Sequence, residues 1–215
     1  MKGCVQSRGF TLLETLLASA LLGALLLALN FFVFSMAEIW GQGSERRLFE
    51  QHVRAVTREV EELIRTAALP PTAADPVLFT REIRLDNGQR ETPLSFELPE
   101  GSPRLPWTAV PLPDVVCSLV VQAPQGLVLY WQSRLEEKFD EAAPRPWVMT
   151  PFVKALTYEY QEPDAGTWRN HATLQRDRGG RWRMPTRLRL KFEHGAMQAE
   201  TTVTLPSAPG PLPHF

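Results

Sequence analysis

The chain divides by pattern into an apolar run, an amphipathic continuation and a long alternating region. No charged residue occurs from Thr15 to Ala37, a stretch long enough to cross the roughly 30 Å hydrocarbon core of a bilayer as a helix. Gly23 and Asn30 interrupt its apolar surface mildly, and no proline kinks it. Beyond it, Phe49, Val53, Val56, Val60, Leu63 and Ala67 recur at spacings of three and four, while Arg46, Arg54, Arg58, Glu59 and Glu62 fall mostly elsewhere. Such spacing makes a narrow apolar stripe on a helix, and it predicts core contact with the domain that follows. Pro70 and Pro71 end the pattern. One helix from Phe10 to about Ala68 would be roughly 90 Å long at 1.5 Å per residue. Gly41 and Gly43 mark the expected bend or fray where it leaves the membrane.

From Val77 onward the pattern changes to strands. Val77 to Leu85 and Thr92 to Leu98 flank Asp86-Asn87-Gly88, where Asn-Gly tolerates the positive φ angles of a tight hairpin turn. Val115 to Gln122 and Leu127 to Ser133 flank Pro124-Gln125-Gly126 as a second hairpin. Trp147 to Glu162 reads as one long strand or two short ones broken at Pro151. Arg187 to Phe192 alternates charged and apolar residues, then Glu193-His194-Gly195 turns into Ala199 to Leu205, so one face of that hairpin is wet and the other buried. The proline-rich stretches Leu98 to Pro113 and Ala142 to Pro151 read as connections, because too few residues lie on either side for separate cores. About 145 residues after Pro71 suit one domain, and the tail from Pro206 to Pro213 reads as a frayed end. The expected fold is α+β, a long N-terminal helix packed on an antiparallel β domain.

One carboxylate breaks the apolar run. Glu14 sits at its start, where an ionised group is tolerated only with a partner or for a function. Met1 to Gly9 carry Lys2 and Arg8 with no acid, a basic flank without the apolar segment of a secretory signal. A cut after Gly9 would keep the hydrophobic helix and create an ammonium at Phe10, four residues from Glu14. Gly9-Phe10-Thr11-Leu12-Leu13-Glu14 resembles the prepilin-type cleavage and methylation motif of type IV pilins and type II secretion pseudopilins. The resemblance implies that a prepilin peptidase cuts after Gly9 and methylates Phe10, and that Glu14 helps dock the subunit into a growing filament. Lys2 and Arg8 hold the N-terminus on the cytoplasmic side by the positive-inside rule, which leaves the bulk of the chain in a periplasm or its equivalent. The absence of a helix proline favours a minor subunit.

Composition narrows the chemistry. The formal charge is −1, and without Lys2 and Arg8 the 21 bases against 24 acids give −3. No basic excess points to nucleic acid. Cys4 lies in the leader and Cys117 then stands alone, so no internal disulfide or cysteine-type metal site is expected in the mature chain. Cys117, inside Val115-Val116-Cys117-Ser118-Leu119, reads as a buried small hydrophobe. His52, His171, His194 and His214 show no zinc-type pairing and read as exposed or capping residues. Gly41-Gln42-Gly43-Ser44 lacks the third glycine and preceding strand of a dinucleotide loop. Glu136-Glu137 and Asp140-Glu141 around Lys138 read as a solvated loop able at most to bind a cation weakly. Trp131, Trp168 and Trp182 read as core rather than as a ligand groove. No catalytic residue, cofactor or metal is expected.

The C-terminal third narrows the family. Leu156-Thr157-Tyr158-Glu159-Tyr160, Gly166-Thr167-Trp168, Trp182-Arg183-Met184-Pro185-Thr186-Arg187-Leu188-Arg189-Leu190 and Val203-Thr204-Leu205-Pro206 together resemble minor pseudopilin J of the general secretion pathway. Thr72 to Pro113 matches nothing in that pattern. The resemblance implies a two-sheet β domain behind the helix and a place at the pseudopilus tip with I-like and K-like minor pseudopilins. There the protein would prime assembly of the major pseudopilin for protein export, as a mechanical adaptor and not an enzyme. The expected division is a leader over 1–9, a transmembrane helix over 10–37, its amphipathic continuation over 38–70, a periplasmic β domain over 71–206 and a flexible tail over 207–215. The alternative is a minor type IV pilin of a motility, adhesion or DNA-uptake system.

Overall fold

The structure is a computed structural model that describes residues 11–67, 77–86, 88–108, 110–139, 141–162, 166–206 and 212, without the side chains of 37–42. Gly9, Phe10, Pro70 and Pro71 lie outside the described residues. The chain falls into two units, Met1–Leu48 and Phe49–Phe215. The helix α1 (Leu12–Ala67) contributes to both, and Gly41 and Gly43, the expected breakpoint, are helical.

In the first unit the apolar span Leu12–Met36 is 25 residues long and none of it is buried. At 1.5 Å per residue that is about 37 Å, more than the roughly 30 Å a bilayer requires. Its leucines and phenylalanines point outward all round; Leu12 and Phe31 are 79% and 78% exposed. A helix that is apolar on every side and unburied in its own chain needs lipid or other helices around it.

The second unit begins with the amphipathic end of α1 and continues, among the described residues, in eleven strands: β1 (Leu78–Thr80), β2 (Ile83–Arg84), β3 (Arg90–Glu91), β4 (Leu94–Leu98), β5 (Val115–Gln122), β6 (Gly126–Ser133), β7 (Arg145–Thr150), β8 (Val153–Gln161), β9 (Trp168–His171), β10 (Arg187–His194) and β11 (Met197–Thr204). They form a five-stranded sheet ordered β1-β4-β5-β6-β7, a four-stranded sheet ordered β11-β10-β8-β9 and a two-stranded ribbon β2-β3. Every pairing among the described strands is antiparallel. The expected α+β fold with two β sheets is therefore present. Phe49, Val53, Val56, Val60, Leu63 and Ala67 are buried with Ile64, in one core with Phe96, Leu119, Leu129 and Trp131 of one sheet and Tyr158, Leu188, Leu190 and Phe192 of the other. The helical stripe thus closes the two sheets over a shared core.

Burial explains why the strands read differently in sequence. In β10, Leu188, Leu190 and Phe192 are buried while Arg187, Arg189 and Lys191 lie on the outer face, giving clean alternation. β5 and β6 are covered on both sides and read as nearly continuous apolar runs. Their second face is closed by the ribbon, whose Ile83 and Leu85 pack with Val120, Val128 and Tyr130. On the same buried face Ser95 and Ser118 satisfy one another through their hydroxyls at 2.7 Å, as buried polar groups must.

Three local expectations need correction. In the tail expected to be frayed, Leu212 is buried in the core and its N–H donates to the Trp182 carbonyl at 2.8 Å. Val77 to Leu85 and Thr92 to Leu98 are not one hairpin: β1 pairs with β4 in the large sheet, whereas β2 and β3 pair alone around the turn that Gly88 closes with φ +81°. Asn87 of that turn lies outside the described residues. The segment around Pro151 takes the second of its two expected forms, two strands, and these enter different sheets, β7 beside β6 and β8 beside β10. Trp168 is not core: it is 39% exposed and lies in β9, a strand that the alternation does not announce.

Candidate functional site

The chemistry singled out in sequence converges on the first turn of α1. Thr11 stands at the N-cap and Glu14 three residues later, the T-x-x-E spacing of a capping box. Glu14 Oε2 accepts from the Thr11 backbone N–H at 3.0 Å and from its hydroxyl at 3.1 Å, while the Glu14 N–H donates to Thr11 Oγ1 at 3.3 Å. A carboxylate here also complements the positive end of the helix dipole. The same residues that looked like a misplaced charge therefore start the helix. That signal is legible in the sequence as the T-x-x-E spacing ahead of an apolar run, although the apolar surroundings make the charge look isolated. Only Oε2 is engaged in the described bonds, so Oε1 is left to accept from a further donor. Gly9 and Phe10, the other two assigned residues, lie outside the described residues.

The amphipathic end of α1 carries a charged side opposite its buried stripe. Arg54 and Arg58 are exposed, opposite the buried stripe, and Arg54 reaches Glu50 at 4.0 Å. The neighbouring acids Glu59 and Glu62 are occupied. Arg104, from the connection between β4 and β5, donates to Glu59 at 3.0 and 3.2 Å and to Glu62 at 2.9 and 3.1 Å. Hydrogen bonding and the charge of Arg104 hold the Glu62 carboxyl below its ordinary range. The same connection buries Leu105 and sets Trp107 edge-on against Trp131 at 4.7 Å. The proline-rich stretch left without a counterpart in sequence is thus a strap from the helix to the large sheet.

The remaining candidates have structural partners. His52 Nε2 lies 2.7 Å from Thr150 Oγ1, and His194 stacks near Phe152 and Phe49 with ring centroids 4.5 and 6.4 Å away. Glu136, considered for weak cation binding, accepts from Arg145 at 2.6 and 3.0 Å; Asp140 lies outside the described residues. Among the described residues, no group of three or more His, Cys, Asp or Glu is placed to hold a metal ion. Cys117 is buried, and desolvation pushes its thiol well up. Glu159 is buried against Arg189 at 2.5 Å, and Arg187 covers the exposed Trp168 at 4.1 Å.

A cleft of about 500 Å³ opens where Leu119, Val121, Leu156 and Leu174 meet Tyr158 and Trp182, with Glu91 among its lining residues. Burial raises the pKa of Glu91 and of Tyr158, whose hydroxyl oxygen accepts from the Leu94 N–H at 3.5 Å. The cleft pairs no nucleophile with a base and matches no residue assigned from sequence.

Comparison with known families finds one match. The family model described as the prokaryotic N-terminal methylation motif covers residues 5–30. The matched residues hold the junction at Gly9-Phe10, the Thr11–Glu14 box and more than half of the apolar span, and they support a pilin-like protein anchored by one helix. The motif implies processing by prepilin peptidase and assembly into a pilus-like filament. No curated protein and no solved structure matches the chain.

Proposed function

We propose that the chain is a J-like minor pseudopilin that sits at the tip of a type II secretion pseudopilus and helps initiate filament assembly for protein export. The carrying observation is the Thr11–Glu14 box at the head of an unburied apolar helix, directly after Gly9-Phe10. Prepilin peptidase removes residues 1–9 and methylates Phe10. The anchor over 10–37 stays in the inner membrane, with the segment 38–70, the β domain over 71–206 and the tail over 207–215 on the periplasmic side. In the bilayer Glu14 offers its free carboxylate oxygen to the N-terminal ammonium of an adjacent subunit, a pairing that low dielectric strengthens and that lipid alone cannot supply. The exposed side of α1 around Arg54 and Arg58 meets the helices of I-like and K-like minor pseudopilins, because the apolar stripe is used within the β domain. The role is structural, not catalytic, and requires no cofactor.

Mass spectrometry of the protein purified from its own membrane tests the first step. The expected N-terminus is N-methylated Phe10, and replacement of Gly9 by a bulky residue leaves the precursor uncut. An N-terminus near Ala37 would mean an ordinary cleaved signal and would sink the reading. Deletion separates secretion from a pilus role: export of periplasmic substrates fails while surface motility and DNA uptake persist. The opposite phenotype would place the chain in a type IV pilus.

A further inference from the structure

We propose that the anchor pairs in parallel with a second copy of this chain through a seam centred on Asn30. The inference rests on Leu12–Met36 lying in the membrane. Within that span Thr15 Oγ1 donates to the Leu12 carbonyl and Ser19 Oγ to the Leu16 carbonyl, each at 2.9 Å, so both hydroxyl protons are spent on their own helix. Asn30 differs. One N–H of its amide donates to the Leu26 carbonyl at 2.9 Å, while its second N–H and its Oδ1 have no partner among the described residues. Asn30 lies six residues before Met36, about 9 Å inside that end of the span. A primary amide with an unused donor and acceptor is costly in hydrocarbon unless another polar group meets it.

The surrounding spacing says what meets it. Leu16, Ser19, Gly23, Leu26, Asn30 and Val33 alternate steps of three and four, the repeat that keeps one seam facing a partner helix in a left-handed pair. At about 100° per residue they share an arc of about 100° on one face. Asn30 occupies the position in that repeat where a lone asparagine sets register in parallel two-stranded coils. A side chain at Gly23 would meet nothing of this chain within 4 Å, so the groove beside it is open to close approach by another backbone. A second copy is the occupant that fits. Copies insert in one orientation, so Asn30 faces Asn30 at one depth, each amide donating an N–H and accepting on Oδ1. Glu14 falls about 160° away around the helix, which leaves it free on the opposite side.

The test uses full-length protein in phosphatidylcholine vesicles, with copies labelled by donor and acceptor fluorophores and the protein-to-lipid ratio varied. Energy transfer should exceed that of a polyleucine single-span control. Asn30→Leu should weaken pairing about three- to tenfold, the range expected from interhelical polar contacts in membranes. Asn30→Gln should retain most of the pairing, since it keeps the amide. Asn30→Leu is more apolar than the original, so lost transfer is not failed insertion. Glu14→Ala should leave transfer unchanged, which separates this seam from the Glu14 pairing. Transfer no greater than the control, or equal transfer in Asn30→Leu, would overturn the proposal. So would transfer that arises only after another membrane protein is added.

Discussion

Leu63→Ala is expected to loosen the whole β domain, because Leu63 is 4% exposed and lies in the core shared by α1 and both sheets. Leucine-to-alanine changes at such sites cost about 2–5 kcal/mol, depending on how far the cavity collapses. For a unit of this size each kcal/mol moves the melting temperature by about 2–4 °C, which predicts a fall of roughly 4–20 °C. Arg54→Glu and Arg58→Glu sit on exposed positions of the same helix and should stay within about 0.5 kcal/mol, or about 2 °C. The assay is thermal unfolding followed by circular dichroism, on a soluble fragment from Ser44 to Phe215 that keeps the buried Leu212, with binding of I-like and K-like soluble domains measured on the same samples. Leu63→Ala should lower the melting temperature, whereas the two charge reversals should weaken binding and leave melting alone. A loss under about 2 °C for Leu63→Ala would show that the stripe is not part of the core. Unfolding by the charge reversals would mean the helix is rotated, and undiminished binding in them would move the partner surface to the β domain.

Glu14→Ala should leave the β domain folded and the anchor inserted while filament incorporation falls; crosslinking to other filament subunits at the level of the unaltered protein would remove Glu14 from assembly. Gly126→Ala should destabilise the second unit by several degrees, since Gly126 has φ +80° and an added Cβ would stand 2.2 Å from the Thr150 carbonyl oxygen; unchanged melting would contradict that packing. The Arg104 strap should be sensitive to acid. Arg104 depresses the Glu62 pKa from its ordinary 4.5, so the stabilisation is fully present above that value and is lost as pH falls through the lower, folded pKa. Hydrogen exchange at Trp107 should rise there, and Arg104→Ala should abolish this acid step; an identical acid profile in that variant would refute the assignment.

What the sequence determined by itself is local. The uncharged run, the stripe from Phe49 to Ala67 and the alternation in Arg187 to Phe192 each follow from one element's period and the side it must bury, so they can be read without knowing the neighbour. The Thr11–Glu14 box belongs to the same class, since both partners lie within one helical turn. Tertiary structure decided the rest, because strand pairing and surface ion pairs join residues whose spacing carries no period. Nothing near Pro151 says that β7 and β8 part into different sheets, for each strand is compatible with either edge. Trp168 carries the composition of a core residue, yet β9 pairs at the outer edge of its sheet and Arg187 covers the ring. Arg104 lies more than forty positions from Glu59 and Glu62, and only the path of the connection between β4 and β5 brings its guanidinium across the helix. That path is set by burying Leu105 and Trp107 against the sandwich, a packing free energy that exists only once both sheets are in place.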